Sequence, residues 1–456
     1  MTSSSRKYAL EFLSYVNASP TPFHAVESSK QLLKKAGFIE IKEREPWAQC
    51  VENGGRYFVT RNGSSIIAFG VGKKWKPGNG MALLGAHTDS PALRIKPVSK
   101  KFAENGSFLQ VGVETYGGGL WHTWFDRDLS IAGRAMVRHS NGSIVSKLIK
   151  IDQPILRIPT LAIHLDRQET FTFNKETQLF PIAGLAAAEL NKTAADNSSA
   201  EKSGSDGDFK PLALMTDRHH PMIIDRIAKA AGVNAEDVLD FEMILYDTQE
   251  SVLGGINDEL IFSQRLDNLT MSFCATVGLI ESIGDEKALE EESGIRLISL
   301  FDHEEIGSQT AQGADSNFLP AIIRRLSSDA ATAFEETLIK SMLWSCDMAH
   351  SVHPNYPAKY ESSHRPEMNK EVAKMAGVPL QLFVVRNDSS CGSTIGPMLS
   401  AALGARTVDM GNCQLSMHSI RETGGAHDVE HAVKLFKTYF NNFSQLEPKI
   451  LVDSTT

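Results

Sequence analysis

No apolar run in the 456 residues approaches the roughly 20 that a membrane-crossing helix needs, so no membrane span is expected. Basic runs are missing too. Lys and Arg total 46 against 55 Asp and Glu, and a formal charge of −9 gives no global attraction to nucleic acid or anionic lipid. There is no RNA-binding signature. Cysteine is scarce: Cys50, Cys274, Cys346, Cys391 and Cys413 are scattered, odd in number and without a C-x-x-C pair. That excludes a disulfide framework and fits free thiols in a reducing compartment. The first residues do not read as a signal peptide, because Leu10, Leu13 and Val16 recur at helical spacing around Glu11. A cytoplasmic protein is expected, with delivery to a vacuole or lysosome by a partner left open.

What is present is enough for a sizeable core. Apolar residues make up 42 % of a chain long enough for two domains. Thr21-Pro22 offers a cap and a first-turn proline for a helix that Gly37 ends. Asn62-Gly63 between 57–60 and 66–69 signals a hairpin. A buried strand runs from Met81 towards His87. The stretch 94–237 changes character, with short strand-like pieces at 144–151 and 161–165 and a low-complexity segment at 193–208, read as a mobile surface loop. From about 240, helices at 269–283, 330–339, 393–403 and 429–443 alternate with strands at 295–301, 342–345 and 382–385. Such alternation implies a sheet covered on both faces. One α/β domain, 1–93 with 238–456, interrupted by a β-rich insert at 94–237, is the simplest account.

Acids and histidines stand just past predicted strand ends, at the edge where open α/β sheets bind ligands. They are His87 and Asp89, Asp267 before a helix, Glu304 and Glu305 after 295–301, Asp347 and His350 after 342–345, and His418. Singly, each is more often a cap or turn residue. Together they have the composition of a two-zinc site. Zinc accepts imidazole nitrogen and carboxylate oxygen, and paired metals need a bridging carboxylate. A ligand set of His87, Asp267, Glu305, Asp347 and His418 leaves Glu304 free as a base. It also leaves Asp89 free to hold the His87 ring from behind. Manganese or cobalt would suit the same ligands.

The ordered set, with GAHTDSPALRIKP (85–97), RLDNL (265–269), FDHEEIGS (301–308), CDMAHSVHPNY (346–356), VRNDSSCGSTIGP (385–397) and QLSMHSIRE (414–422), resembles the cocatalytic zinc aminopeptidases and, within them, the aspartyl aminopeptidase family. The resemblance covers nearly the whole chain. It implies a three-layer αβα sandwich with a mixed sheet, a β-rich dimerisation insert, and release of N-terminal Asp or Glu from peptides with a free N-terminus. It assigns Asp267 as the bridge between two Zn2+ ions, with His87 and Asp347 on one metal and Glu305 and His418 on the other. Glu304 is then the general base, and Glu304, Asp347 and His350 face the substrate. His164, otherwise an ordinary core histidine, would serve a neighbouring subunit's site, within a dimer and a tetrahedral dodecamer.

One departure stands out. After SSHRP (362–366) the family continues through roughly two dozen residues holding a Lys and a Tyr that grip the acidic side chain. Here Glu367-Met368-Asn369-Lys370 leads almost directly to Val378, and neither Lys370 nor Lys374 sits in matching context. Loss of that cation points to two alternatives beside acidic-residue removal: a relaxed, neutral-residue aminopeptidase, or a same-fold scaffold or cargo protein without turnover.

Overall fold

The computed structural model describes residues 2–104, 106–167, 169–186, 214–285, 287–327, 331–370, 375–378 and 380–450. The low-complexity segment 193–208 lies outside them. The chain divides into two units, Met1–Ser90 with Ser251–Thr456, and Pro91–Glu250.

The first unit is organised around a mixed sheet. Among the described residues it has seven strands, in the spatial order Ile39–Glu40, Arg56–Arg61, Ser65–Val71, Ile295–Phe301, Met81–His87, Met342–Cys346 and Arg406–Met410. The hairpin forms as the sequence predicts, with both Asn62 and Gly63 at positive φ, the backbone that a tight two-residue turn requires. Strand residues alternate between faces. Phe58, Ala68, Leu84 and Ile298 join one buried cluster with Phe12, Leu33, Phe273 and Phe436, which come from the helices Ser3–Ala18, Pro22–Lys35, Leu266–Ser282 and Ala426–Leu446. Tyr57, Phe69, Leu83 and Leu297 join a second cluster with Phe318 and Ile322 of the helix Phe318–Leu326 and Leu399 of Ile395–Leu403. Helices thus cover both faces. Thr21 caps Pro22–Lys35 by accepting the His24 N–H, and Pro22 occupies its first turn.

Parallel register fixes where the strand ends fall. Phe301 lies opposite His87, and Ser345 opposite Gly85, so three strands run out together at one sheet edge. A second, five-stranded sheet of the same unit carries Ala349–His350, Cys413–Leu415 and Glu422–Gly425.

Two expected strands are not there. Residues 382–385 form no strand, and Leu382 is 78 % exposed, with Phe383 and Val384 also exposed. No neighbouring strand lies alongside among the described residues, so an apolar run alone could not make a strand. Gln381 ties the segment back instead, accepting the Glu367 N–H and donating to the Glu367 carbonyl. Residues 161–165 form an exposed turn in which Leu161, Ile163 and Leu165 face solvent.

Among the described residues the second unit holds a six-stranded antiparallel sheet, Ile144–Lys150, Leu129–Arg138, Val238–Asp247, Ala92–Phe102, Phe108–Tyr116 and Ile182–Leu185 in spatial order. It reaches past 94–237 because Val238–Asp247 pairs along its length with Leu129–Arg138. All five cysteines are free, and among the described residues no helix is long and apolar enough to cross a membrane.

Phe436 is fully buried in the first cluster. Phe436→Ala is expected to destabilise the first unit by about 3–5 kcal/mol through the cavity left behind. The measurement is urea unfolding followed by near-ultraviolet circular dichroism, and an unchanged midpoint would contradict the packing.

Candidate metal centre

Asp267 stands at the centre of the site. It lies at the start of the helix Leu266–Ser282 but has non-helical backbone angles, and its bond to Asn268 is cis. Its Oδ1 is 3.3 Å from His87 Nε2, and its Oδ2 is 3.2 Å from His418 Nε2. On the His87 side, Asp347 Oδ1 is 3.4 Å from the same Nε2 and Glu304 Oε2 is 3.8 Å away. On the other side, Glu305 Oε2 is 3.4 Å from His418 Nε2. Two triads, His87–Asp267–Asp347 and Asp267–Glu305–His418, therefore share one carboxylate, and each has its ligand atoms close enough to hold a single ion. Glu304 and Glu305 also group with His87, so proximity alone does not separate ligand from base in that pair.

The chain fixes these groups through short local devices. Asp89 does more than back His87, whose Nδ1 lies 3.3 Å from Asp89 Oδ1 and 3.1 Å from the Asp89 carbonyl. The Asp89 carboxylate also accepts the N–H of Glu304 at 3.1 Å and of Glu305 at 3.0 Å. One side chain thus joins the end of Met81–His87 to the single turn Glu304–Ile306. Ser272 Oγ donates to the His87 carbonyl at 2.6 Å, and Asn268 Nδ2 to the Cys346 carbonyl at 2.8 Å. Arg265, His303 and His418 take positive φ, which non-glycine residues adopt at a cost of order 1–3 kcal/mol and which concentrates at functional sites.

The electrostatics call for a cation. Burial pushes Asp347 up to about 7, Asp267 adding to the effect and His87 opposing it. Burial likewise raises Glu304 and, more strongly, Glu305, again with help from the Asp267 charge. Burial pulls Asp267 the same way, but His418 and His87 outweigh it and hold the carboxyl well below its ordinary value. Asp267 Oδ1 and Glu305 Oε1 are buried without a hydrogen-bond partner. Native proteins rarely leave such atoms unsatisfied. Imidazole nitrogens and carboxylate oxygens in this arrangement fit zinc.

His350 lies on the strand Ala349–His350, exposed, with its ring 6.0 Å from that of Phe383. His164 belongs to the exposed turn of the second unit, and the cluster forms without it. Sequence reasoning misses Glu422. It is buried at the start of Glu422–Gly425 and accepts the backbone N–H of both Asp267 and His418. Burial raises it to about 8, Asp267 adding and the two N–H groups opposing. Its only signal is a place at the end of the matched stretch 414–422.

Gly411 follows the strand Arg406–Met410, and a Cβ there would fall 1.6 Å from the Asp347 carbonyl oxygen. Gly411→Ala must displace the Asp347 backbone. A zinc affinity weaker by about tenfold or more is expected, in line with the usual cost of disturbing a ligand's support. Competition with a chromogenic chelator measures it; wild-type affinity would show that the close approach is not needed.

Comparison with known proteins completes the assignment. The family model "Aminopeptidase I zinc metalloprotease (M18)" matches residues 15–372 and 367–440. An aspartyl aminopeptidase of Aspergillus oryzae is 64 % identical, covering 98 % of each chain. Their alignment spans 488 positions against 456 residues here, so at least 32 of those positions have no counterpart in this chain. The two family matches overlap at residues 367–372, next to the stretch after Pro366 where the departure from the family is expected. Among solved structures, the Ape4 and Nbr1 complex matches with a TM-score of 0.90 at 46 % identity, covering 99 % of this chain and 88 % of that one. The Saccharomyces cerevisiae mApe1 dodecamer matches at 0.82 and 30 %, covering 98 % and 99 %. With its mixed α/β fold and its imidazole–carboxylate cluster, the chain belongs to the M18 family of zinc metalloproteases.

Proposed function

We propose that the chain is an aminopeptidase that removes Asp and Glu from the free N-termini of peptides, using two zinc ions per subunit. The single observation that carries the reading is the pair of triads sharing Asp267, with Glu304 beside them. His87 and Asp347 would hold one ion, Glu305 and His418 the other, and Asp267 would contribute one oxygen to each. The acidic specificity rests on the relatives, one of them 64 % identical, that are named aspartyl aminopeptidases.

Zinc, when bound, would supply Lewis acidity, lowering the proton affinity of water and polarising the peptide carbonyl. The chain's own part is proton handling and positioning. Glu304, raised by burial above the usual carboxylate range, is suited to take a proton from the attacking water and return it to the leaving amine. Asp89 holds the Glu304 amide and the His87 ring in one frame, so base and ligand keep a fixed separation.

Self-association fits the same reading. The solved relative from Saccharomyces cerevisiae is a dodecamer, and the second unit here exposes Leu161, Ile163 and Leu165 around His164. Exposed apolar groups of this kind suit a subunit contact, with the second unit as dimerisation domain and His164 offered to a neighbour's site. A related chain is found in complex with Nbr1, which supports capture by a partner protein and delivery from the cytoplasm to a vacuole or lysosome.

Glu304→Gln is expected to keep two equivalents of zinc per subunit by atomic absorption while kcat falls by roughly 10²–10⁴, the usual reach of general-base catalysis. Near-normal turnover would remove Glu304 from the role of base. Rates on aspartyl, glutamyl and leucyl chromogenic amides test the substrate class. Faster release of Asp and Glu is expected, whereas hydrolysis of the leucyl amide alone would overturn the acidic preference.

A further inference from the structure

We infer that Glu422 is a positioning residue that sets the spacing between the two halves of the metal centre. The inference rests on the two-zinc reading and adds to it a residue outside the ligand set.

Glu422 is 2 % exposed. Its Oε2 accepts the Asp267 N–H at 3.2 Å, and its Oε1 accepts the His418 N–H at 2.8 Å. Gln414 Nε2 lies 3.4 Å from the same Oε1. Neither amide sits in a regular ladder. Asp267 has φ −82° and ψ 107° and is followed by a second non-helical residue, Asn268, and His418 has a φ of 65°. Glu422 is thus one acceptor common to the backbone of a ligand in the first triad and of a ligand in the second.

A carboxylate suits the task better than any other side chain. When ionised it offers two acceptor oxygens and no obligatory donor, so each oxygen can take one N–H. A glutamine keeps one acceptor and turns an amide N–H2 towards the other backbone donor. An aspartate is one methylene too short to span the same pair from the same backbone position.

The two halves of the centre are anchored differently. His87 is held by Asp89 at its Nδ1 and by Ser272 at its carbonyl, independently of Glu422. His418 is held at its amide by Glu422, and Asp267 reaches towards both histidines. Loss of Glu422 therefore bears unequally on the two triads, with Asp267–Glu305–His418 the more affected.

The test is a zinc titration of the full-length chain against a chromogenic chelator, comparing wild type, Glu422→Gln and Glu422→Ala, with His418→Ala as reference. Glu422→Gln is expected to weaken one of two zinc affinities by roughly 10–100-fold, the usual cost of losing a residue that orients a ligand. The other affinity should fall by less, and the circular dichroism spectrum and the metal-free melting temperature should stay at wild-type values. The kcat lost at limiting zinc should return at excess zinc with KM unchanged. A role in stability alone would move the metal-free melting temperature and leave the ratio of the affinities intact, which would overturn the inference. So would wild-type binding of both ions by Glu422→Gln while His418→Ala loses one. If His418→Ala also binds both, the metal-centre reading itself fails and the role of Glu422 falls with it. Glu422→Gln is nearly isosteric, so it decides the matter even if Glu422→Ala does not fold.

Discussion

Four carboxylates crowded around two imidazoles in a largely dry recess form the constraint from which the rest of the first unit can be understood. Asp267, Glu304, Glu305 and Asp347 repel one another, and burial makes each charge less favourable than in water. A protein holds such a group together only by tethering it from outside and by leaving room for positive charge at the centre. The tethers are visible. Asp89 grips the turn of the two glutamates, Asn268 reaches the carbonyl of Cys346, and Glu422 spans the amides of Asp267 and His418. The positive-φ residues Arg265, His303 and His418 belong to the same scheme, since each turns the chain sharply where a regular element would carry its side chain elsewhere.

The sheet supplies the frame. Parallel pairing of Ile295–Phe301 and Met342–Cys346 with Met81–His87 sets three carboxyl ends level, so groups more than 200 residues apart in sequence, such as His87 and Glu305, are delivered to one place by register alone. Helices on both faces keep this register fixed, because the apolar residues of the central strands are divided between two buried clusters and a slip by one would exchange them.

Much of this is legible in the sequence because it depends on local pattern. The strand 295–301 matches its sequence pattern to the residue, the helix expected at 269–283 forms as Leu266–Ser282, and the one expected at 429–443 forms as Ala426–Leu446. Acids and histidines just past strand ends identify the cluster, since the cost of burying carboxylates is chemical and can be read from residue type. What fails depends on neighbours. Residues 161–165 and 382–385 have the apolar content of strands, yet a strand exists only where another lies beside it, and composition does not name the partner. The second unit reaches beyond 94–237 because pairing of Val238–Asp247, not a change in composition, decides where it ends. Glu422 escapes notice because an acid opening a strand looks the same whether it faces water or two backbone amides.

The unpaired stretch 380–386 has a consequence of its own. It bears Leu380, Leu382, Phe383 and Val384 outward and is fastened beside Glu367 through one glutamine side chain. Exposed backbone with no ladder opens at little free energy, and a digestive enzyme cuts where the backbone opens. Limited proteolysis should therefore begin here, after Leu382 or Phe383, and split the first unit between the strand that leads to Asp347 and the one that leads to His418.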